Sequence, residues 1–474
     1  MTPVTSLRAF LALLLIGGLT GCATVDFDRS LAKTNERAGQ FTHGELHLAR
    51  DAEQRDAMVL RASELLSSPL NEQAAVQLAL VNSPSFQSLL ARNWARAADA
   101  AQSGRLANPV LNFERLRIAD EVEFGRLLSV GLLDLLTYPL RQGVARSRLE
   151  AEEHRLALDV IRHVTAVRAA WVRAVAAGER LAYARQVFEA AEVSAELARR
   201  MQQAGNFNTV QRIRQQSFYA DAATQLALAR HTATARQEEL IRKLGLSEDQ
   251  VSLLVLPARL PDLPMPPVPP EEVSSAARSG NLDVLLARAE FEAAARAQGL
   301  GVATSLTDVE GGLRRNTVFD NDSGGKETGR GYELDVTLPV FDWGGMKRDA
   351  MNARTLAAGN DLEAVLRGTG SRLRESYSAY RTAHDIARHY REEVIPLRQA
   401  LAEENVLRYN AMLIGVFELL ADAREQIRTV MTGIDSLEQF WLADAGLQAA
   451  VMGAGGGAEI AGPSPAGEAS DVDH

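Results

Sequence analysis

The chain has 474 residues, 61 of them acidic against 51 basic for a net charge of -10, and aromatics make up only 5% of it. Length excludes little, but a balance weighted to Ala, Leu, Arg and Glu favours long helices and coiled coils over a sandwich or a doubly wound sheet. Charges of both signs are interspersed with no basic stripe, which argues against a nucleic-acid partner.

At the N-terminus Arg8 supplies a positive n-region, Ala9 to Leu19 a short apolar core, and Leu19-Thr20-Gly21-Cys22 a small-residue ending. The apolar run is too short for a stable span, so residues 1–21 are expected to be a secretory signal peptide. The ending resembles a bacterial lipobox and carries the chain's only cysteine. That resemblance implies that Cys22 becomes a lipid-modified N-terminus, each buried methylene contributing about 0.8 kcal/mol to anchoring. The other reading is an ordinary signal with a chance cysteine. Ala23 follows where lipoproteins kept in the inner membrane carry aspartate, so outer-membrane sorting is expected.

Residues 22–70 are polar and mixed, and are expected to form a loose strap. His43, Glu45, His47 and Asp51 could stand on one helical face, but solvated side chains explain them better than metal ligands do, and no metal site is expected. Asn71 to Leu106 reads as a helix interrupted near Asn82-Ser83-Pro84, since proline suits a first turn. Its words return: Leu89-Leu90-Ala91-Arg92 recurs as Leu285-Leu286-Ala287-Arg288, and Ala97, Ala98, Ala101 and Gln102 match Ala293, Ala294, Ala297 and Gln298. The chain is therefore expected to be a tandem duplication, 71–256 and 271–452.

From Arg141 to Leu256 there is no proline, and Val160, Val164, Val167, Trp171 and Val175 mark one helical face with Arg162, Arg168 and Arg173 among the polar positions between. A break is expected only at Gln203 to Asn208, where glycine and asparagine suit a tight reversal. An arm of about 60 residues at about 1.5 Å each is on the order of 90 Å long, too long for a compact globule to enclose. Pro257 to Pro270, with seven prolines, is an extended linker. The second hairpin is expected over 345–452, with its tip at Met412-Leu413-Ile414-Gly415, and 453–474 as a disordered tail.

Each half also has a non-helical insert, expected as strand pairs over 110–136 and 302–341. Tyr332, Leu334, Val336, Leu338 and Val340 alternate with Glu333, Asp335, Thr337, Pro339 and Phe341, the pattern of a strand with one face in lipid. Upstream, Val309, Gly311 and Leu313 alternate with Asp308, Glu310 and Gly312, and Asn316 to Gly329 reads as a solvated loop. Val110 to Ile118 and Arg126 to Leu136 hold the equivalent places in the first half, joined by Ala119 to Gly125. A soluble four-stranded sheet is the alternative. Four strands cannot close a barrel, and an open edge cannot sit in lipid, so a spanning chain must oligomerise. Three copies of four strands would supply twelve, enough for a water-filled lumen above a tube of helical arms. Asp308, Glu310, Glu333 and Asp335 would then be lumen-facing.

The order helix, strand pair, long helical hairpin, repeated after a proline-rich joint, resembles the TolC-type outer-membrane factors, here in a lipoprotein branch. The matching words are Ala107-Asn108-Pro109, Leu132 to Arg141 (LLDLLTYPLR), Leu338 to Gly345 (LPVFDWGG) and Arg408 to Leu420 (RYNAMLIGVFELL). The resemblance implies a mainly α fold with a small β part: long antiparallel helical hairpins in two tandem repeats plus four membrane strands, assembled as a trimeric α-barrel/β-barrel duct. It implies a passive outer-membrane channel of a tripartite efflux pump or type I secretion system, a homotrimer touching outer-membrane lipid, a periplasmic adaptor and an inner-membrane pump. In that family a tyrosine before the second tip and an acidic residue after it help close the periplasmic mouth. Tyr409 and Glu418 fall on those places, while Ile414 replaces a partner arginine and Gln211 an acidic residue. No cofactor is expected. No nucleophile elbow, phosphate loop, CxxC pair or zinc helix is present, and His154, His163, His231, His384 and His389 are scattered, so an enzyme is not expected. The remaining alternative is a non-spanning lipoprotein scaffold that binds partners through its coiled coils.

Overall fold

A computed structural model describes residues 26–118, 121–278, 280–305, 307–320 and 324–455. The signal segment, Cys22 and most of the C-terminal tail lie outside the described residues. The elements in order are α1 (Phe27–Thr42), α2 (Ala52–Leu65), α3 (Glu72–Asn82), α4 (Pro84–Gln102), β1 (Val110–Ile118), β2 (Glu121–Gly131), α5 (Leu132–Gln203), α6 (Thr209–Leu244), α7 (Glu248–Val251), α8 (Pro270–Arg278), α9 (Leu282–Thr304), β3 (Val309–Asp320), β4 (Lys326–Val336), α10 (Gly345–His389), a π turn (Tyr390–Val394), α11 (Ile395–Asn410) and α12 (Val416–Met452). They form two compact units, one built from residues up to 33, 92–155 and 285–365, the other from 34–91, 156–284 and 366 onward.

The first unit holds one antiparallel sheet in the order β1-β2-β3-β4. β2 pairs with β3 from Glu121↔Asp320 to Gly131↔Glu310, joining strands nearly two hundred residues apart. Several expected boundaries differ: β2 already begins at Glu121, inside the stretch 119–125 expected as a join, residues 302–304 belong to α9, and α6 ends at Leu244 with the short α7 after it, rather than running on to Leu256. β2 ends at Gly131 and the helix begins at Leu132, so residues 132–136 are helical rather than strand. Thr137 Oγ1 donates to Leu133 O at 2.7 Å and Arg141 pairs with Asp134, contacts that flank Pro139, which lies inside the helix. β4 stops at Val336 instead of running to Phe341, because Pro339 has no N–H for a ladder. The polar stretch expected as a loop is mostly strand, since ladder hydrogen bonds satisfy its backbone whatever its side chains. Beside the sheet, Arg96 and Arg155 bridge to Glu152, and Arg155 reaches Glu290, tying α4 and α9 to α5.

The second unit is helical. Val160, Val164, Val167, Trp171 and Val175 are all buried, the face that their spacing predicts. Residues 34–70, expected as a strap, contain most of α1 and all of α2. Ala38 and Phe41 are buried, continuing a four-three spacing from Phe27, Leu31 and Thr34. The linker lies extended on helices: Trp441 Nε1 donates to Pro261 O at 3.1 Å, and Tyr380, with a buried ring, takes Val268 N–H at 3.2 Å. Tyr380, Ala383, Phe440, Ala443 and Leu447 make the core beneath it, with Leu263 and Val273. α6 ends on Gly245 at φ 68, where a Cβ would sit 2.5 Å from Pro84 Cδ, so close approach as well as backbone sign demands glycine.

Candidate functional site

Directly paired residues of an antiparallel ladder share a face, so the register sorts the sheet into two surfaces. On one, Leu111, Leu128, Leu313 and Tyr332 lie in a row, with Val130, Gly311 and Leu334 in the next and Val309 and Val336 beyond. Tyr332 is 89% exposed and Leu334 59%. The opposite surface carries Glu114, Glu121, Glu123, Glu310, Asp320, Glu327, Glu333 and Asp335. Its one cation, Arg314, donates to Glu333 at 3.0 Å and to Glu114 at 3.3 Å, and Asn316 donates to Glu123 at 2.5 Å. Glu310 and Asp335 are ladder partners. Carboxylates directly opposite each other repel, and water around them lowers that cost. The structure therefore gathers Glu310, Glu333 and Asp335 on one acidic face. Asp308 stands just before the strand, its carboxylate accepting Val309 N–H at 2.9 Å.

The two hairpin tips belong to the helical unit. At the first, Gly205 takes φ 81 and Asn208 opens α6 with a capping box. Gln211, at the position expected to be acidic in relatives, forms the other half of that box: its Oε1 accepts Asn208 N–H at 2.8 Å. At the second, Met412 has φ 59 and is 92% exposed. Tyr409 lies in the last turn of α11 and Glu418 in the first turn of α12, where a carboxylate suits the helix dipole. Both are exposed, and the structure brings neither to a side-chain partner among the described residues. The hairpins touch where Arg424 of α12 stacks on Phe218 of α6 at 4.4 Å.

One polar cluster escaped the sequence. Arg168, read in the sequence as one of the polar positions between the apolar ones, is 4% exposed. Its guanidinium donates to Phe41 O and to Gln448 Oε1, both at 2.7 Å, lies 3.2 Å from Glu72 and stacks 4.5 Å from the Phe41 ring. Gln448 donates in turn to Asp444 at 2.6 Å. Burial and then repulsion from Glu72 raise the Asp444 carboxyl to about 6, with Arg168 opposing. Its folded pKa exceeds its unfolded one, so the folded chain holds the proton more tightly and stability is lost as pH rises from about 4 to about 6, by about 3 kcal/mol. Asp444→Asn is expected to remove that slope; thermal melts of both proteins across the window check it, and parallel curves would refute it. His43, Glu45, His47 and Asp51 do not share a helix: Asp51 caps α2 by accepting Gln54 N–H at 2.8 Å, and Glu45 contacts His47 at 3.2 Å.

No known family model matches the chain, and no curated protein sequence does. Solved structures do. A membrane protein from Pseudomonas aeruginosa superposes with TM-score 0.67 at 19% identity, over 82% of this chain and 93% of its own. The outer membrane protein VceC of Vibrio cholerae gives 0.65 at 14%, over 83% and 96%. The MtrE outer membrane channel of Neisseria gonorrhoeae, in its open state, gives 0.63 at 16%, over 83% and 89%. The chain has the fold of bacterial outer-membrane channels. It is the mainly helical fold with a small four-stranded sheet that the TolC-type resemblance implies.

Proposed function

We propose that the chain is the outer-membrane duct of a tripartite efflux pump or type I secretion system. It works as a passive homotrimeric channel, anchored through Cys22 and spanning the membrane, that closes at its periplasmic tip and meets a periplasmic adaptor and an inner-membrane pump. The carrying observation is the open sheet: β1 and β4 are unpaired edges flanking an apolar face and an acidic face. Edges have no partners in lipid, so the β4 edge of one copy joined to the β1 edge of the next is the arrangement that satisfies them. Large apolar residues left exposed on the arms, among them Val193, Leu197, Leu397 and Leu407, fit helix packing between copies. The fold shared with outer-membrane channels supports the same reading. On it, Glu310, Glu333 and Asp335 line the lumen near the membrane.

The test is a heat-modifiable trimer that resists mild detergent, with a label at Gly325, in the turn between β3 and β4, reached from outside the cell. A monomer released fully by removing the acyl chains would favour a scaffold that only rests on the membrane. At the mouth, three Glu418 carboxylates brought together would set both cation affinity and closure. Glu418→Gln is expected to change drug or metal sensitivity with the amount of trimer unchanged. Equal planar-bilayer conductance of the parent and the Glu418→Gln protein would remove Glu418 from the gate.

A further inference from the structure

The apolar face of the sheet has a second composition toward its turns. The row after Leu128 holds Phe113, Arg126, Arg315 and Arg330; the next holds Arg115, Phe124, Thr317 and Thr328; the last holds Arg117, Val122, Phe319 and Lys326. All six cations are exposed, and the register places no acidic residue on this face along any of the four strands. The eight strand carboxylates all lie on the other side. No ion pair ties any of the six to a neighbour among the described residues. Instead Arg115 sits 5.6 Å over the Phe124 ring and Lys326 5.3 Å over Phe319, so aromatic faces hold the cations at the surface. From Val336 to Arg330 is about 20 Å along the strand, at about 3.4 Å per residue. Exposed Leu338, Phe341 and Trp343 extend the apolar zone on the helix side.

We propose that this three-row patch is a binding surface for phosphate-bearing lipid in the membrane leaflet at the turn end of the strands. Apolar rows take the acyl chains, and the arginine rows take the phosphates, with Arg126, Arg315 and Arg330 aligned for forked hydrogen bonds to phosphate oxygens. Six uncompensated cations on a lipid-facing wall repel one another, and an anionic headgroup layer neutralises them. The proposal rests on the channel reading, in which this face meets lipid.

The experiment uses the full-length trimer, reconstituted with bis-phosphorylated lipid A or with its dephosphorylated form, extracted in mild detergent and counted for retained lipid by native mass spectrometry. The parent protein is expected to retain at least about fivefold more of the phosphorylated lipid, and to lose it as salt is raised from about 0.05 to 0.5 M, as screened charge contacts do. The triple variant Arg126→Gln, Arg315→Gln, Arg330→Gln is expected to lose that preference, and the corresponding triple lysine variant to keep part of it. Excess inorganic phosphate should not displace the lipid, since it lacks chains for the apolar rows; displacement would mark a free-anion site and overturn the proposal. So would equal retention of the two lipids by a trimer that conducts in planar bilayers. A parent protein that neither trimerises nor conducts would instead overturn the channel reading, and this proposal with it. The salt series needs no variant, so misfolding of the glutamine protein leaves the proposal testable.

Discussion

The Leu334→Lys substitution is expected to leave cells without assembled trimer, while Glu333→Gln, one residue away, is expected to leave the trimer intact and weaken the cation preference of its pore. Neighbouring strand residues point to opposite faces, so the two changes probe two environments from one stretch of backbone. Leu334 lies in the apolar row beside Gly311 and Val130. A lysine near the middle of the lipid costs about 2–4 kcal/mol, hence about 6–12 kcal/mol in a ring of three copies. That rivals the entire stability of an ordinary domain. Glu333 is on the acidic face, where Arg314 keeps its second contact to Glu114 when the first is lost. Heat-modifiability on gels reports the trimer, and the reversal potential in a salt gradient reports selectivity. Assembly of the lysine variant at normal levels would mean that this face does not meet lipid.

Arg168→Met is the second large effect, expected to lower the stability of the helical unit by about 3–5 kcal/mol, because removing one member of a buried charge cluster strands the rest. Glu72 and Asp444 lose their only close cation among the described residues, and Phe41 O and Gln448 Oε1 lose a donor. Combining Arg168→Met with Asp444→Asn should recover part of the loss, since one of the two carboxylates is gone. The denaturation midpoint of the three proteins decides it. A single variant as stable as the parent would show that the cluster is solvated.

Much of this architecture was legible because its signals repeat. The two Leu-Leu-Ala-Arg words both fall in helices, α4 and α9, the valine spacing marks the buried face of α5, and the proline run is extended from Pro257 to Pro269. Strand ends were less legible. Alternation continues past Val336 to Phe341, but the partner strand begins at Val309, opposite Val336, and Pro339 offers no N–H to extend the ladder. The leucines of 132–136 suit a strand or a helix equally, and a side-chain bond from Thr137 and a pair between Asp134 and Arg141 decide for the helix. The burial of Arg168 is not legible because its partners, Phe41, Glu72 and Gln448, are far away in sequence, and no local pattern reveals them. The cationic rows were open to discovery: Arg126, Arg315 and Arg330 keep the parity of their apolar neighbours. Only the register shows that they stand side by side. At the tips, Tyr409 and Glu418 stand exposed, as residues flanking a helical reversal do.

The π turn at Tyr390–Val394 ends where Ile395 N–H reaches back to Tyr390 O, just before Pro396. A proline there leaves the carbonyl four residues earlier without its donor, and the wider turn absorbs the misfit. Such a turn takes in one residue more than its length along the axis would normally hold. Side chains of α11 are consequently displaced by a single place in the order in which α10 would have dealt them out. Any heptad count carried through this arm falls out of step here, and Ile395, the first residue after the wide turn, sets its Cδ1 only 2.8 Å from where a Cβ on Gly433 would be, space that glycine leaves open.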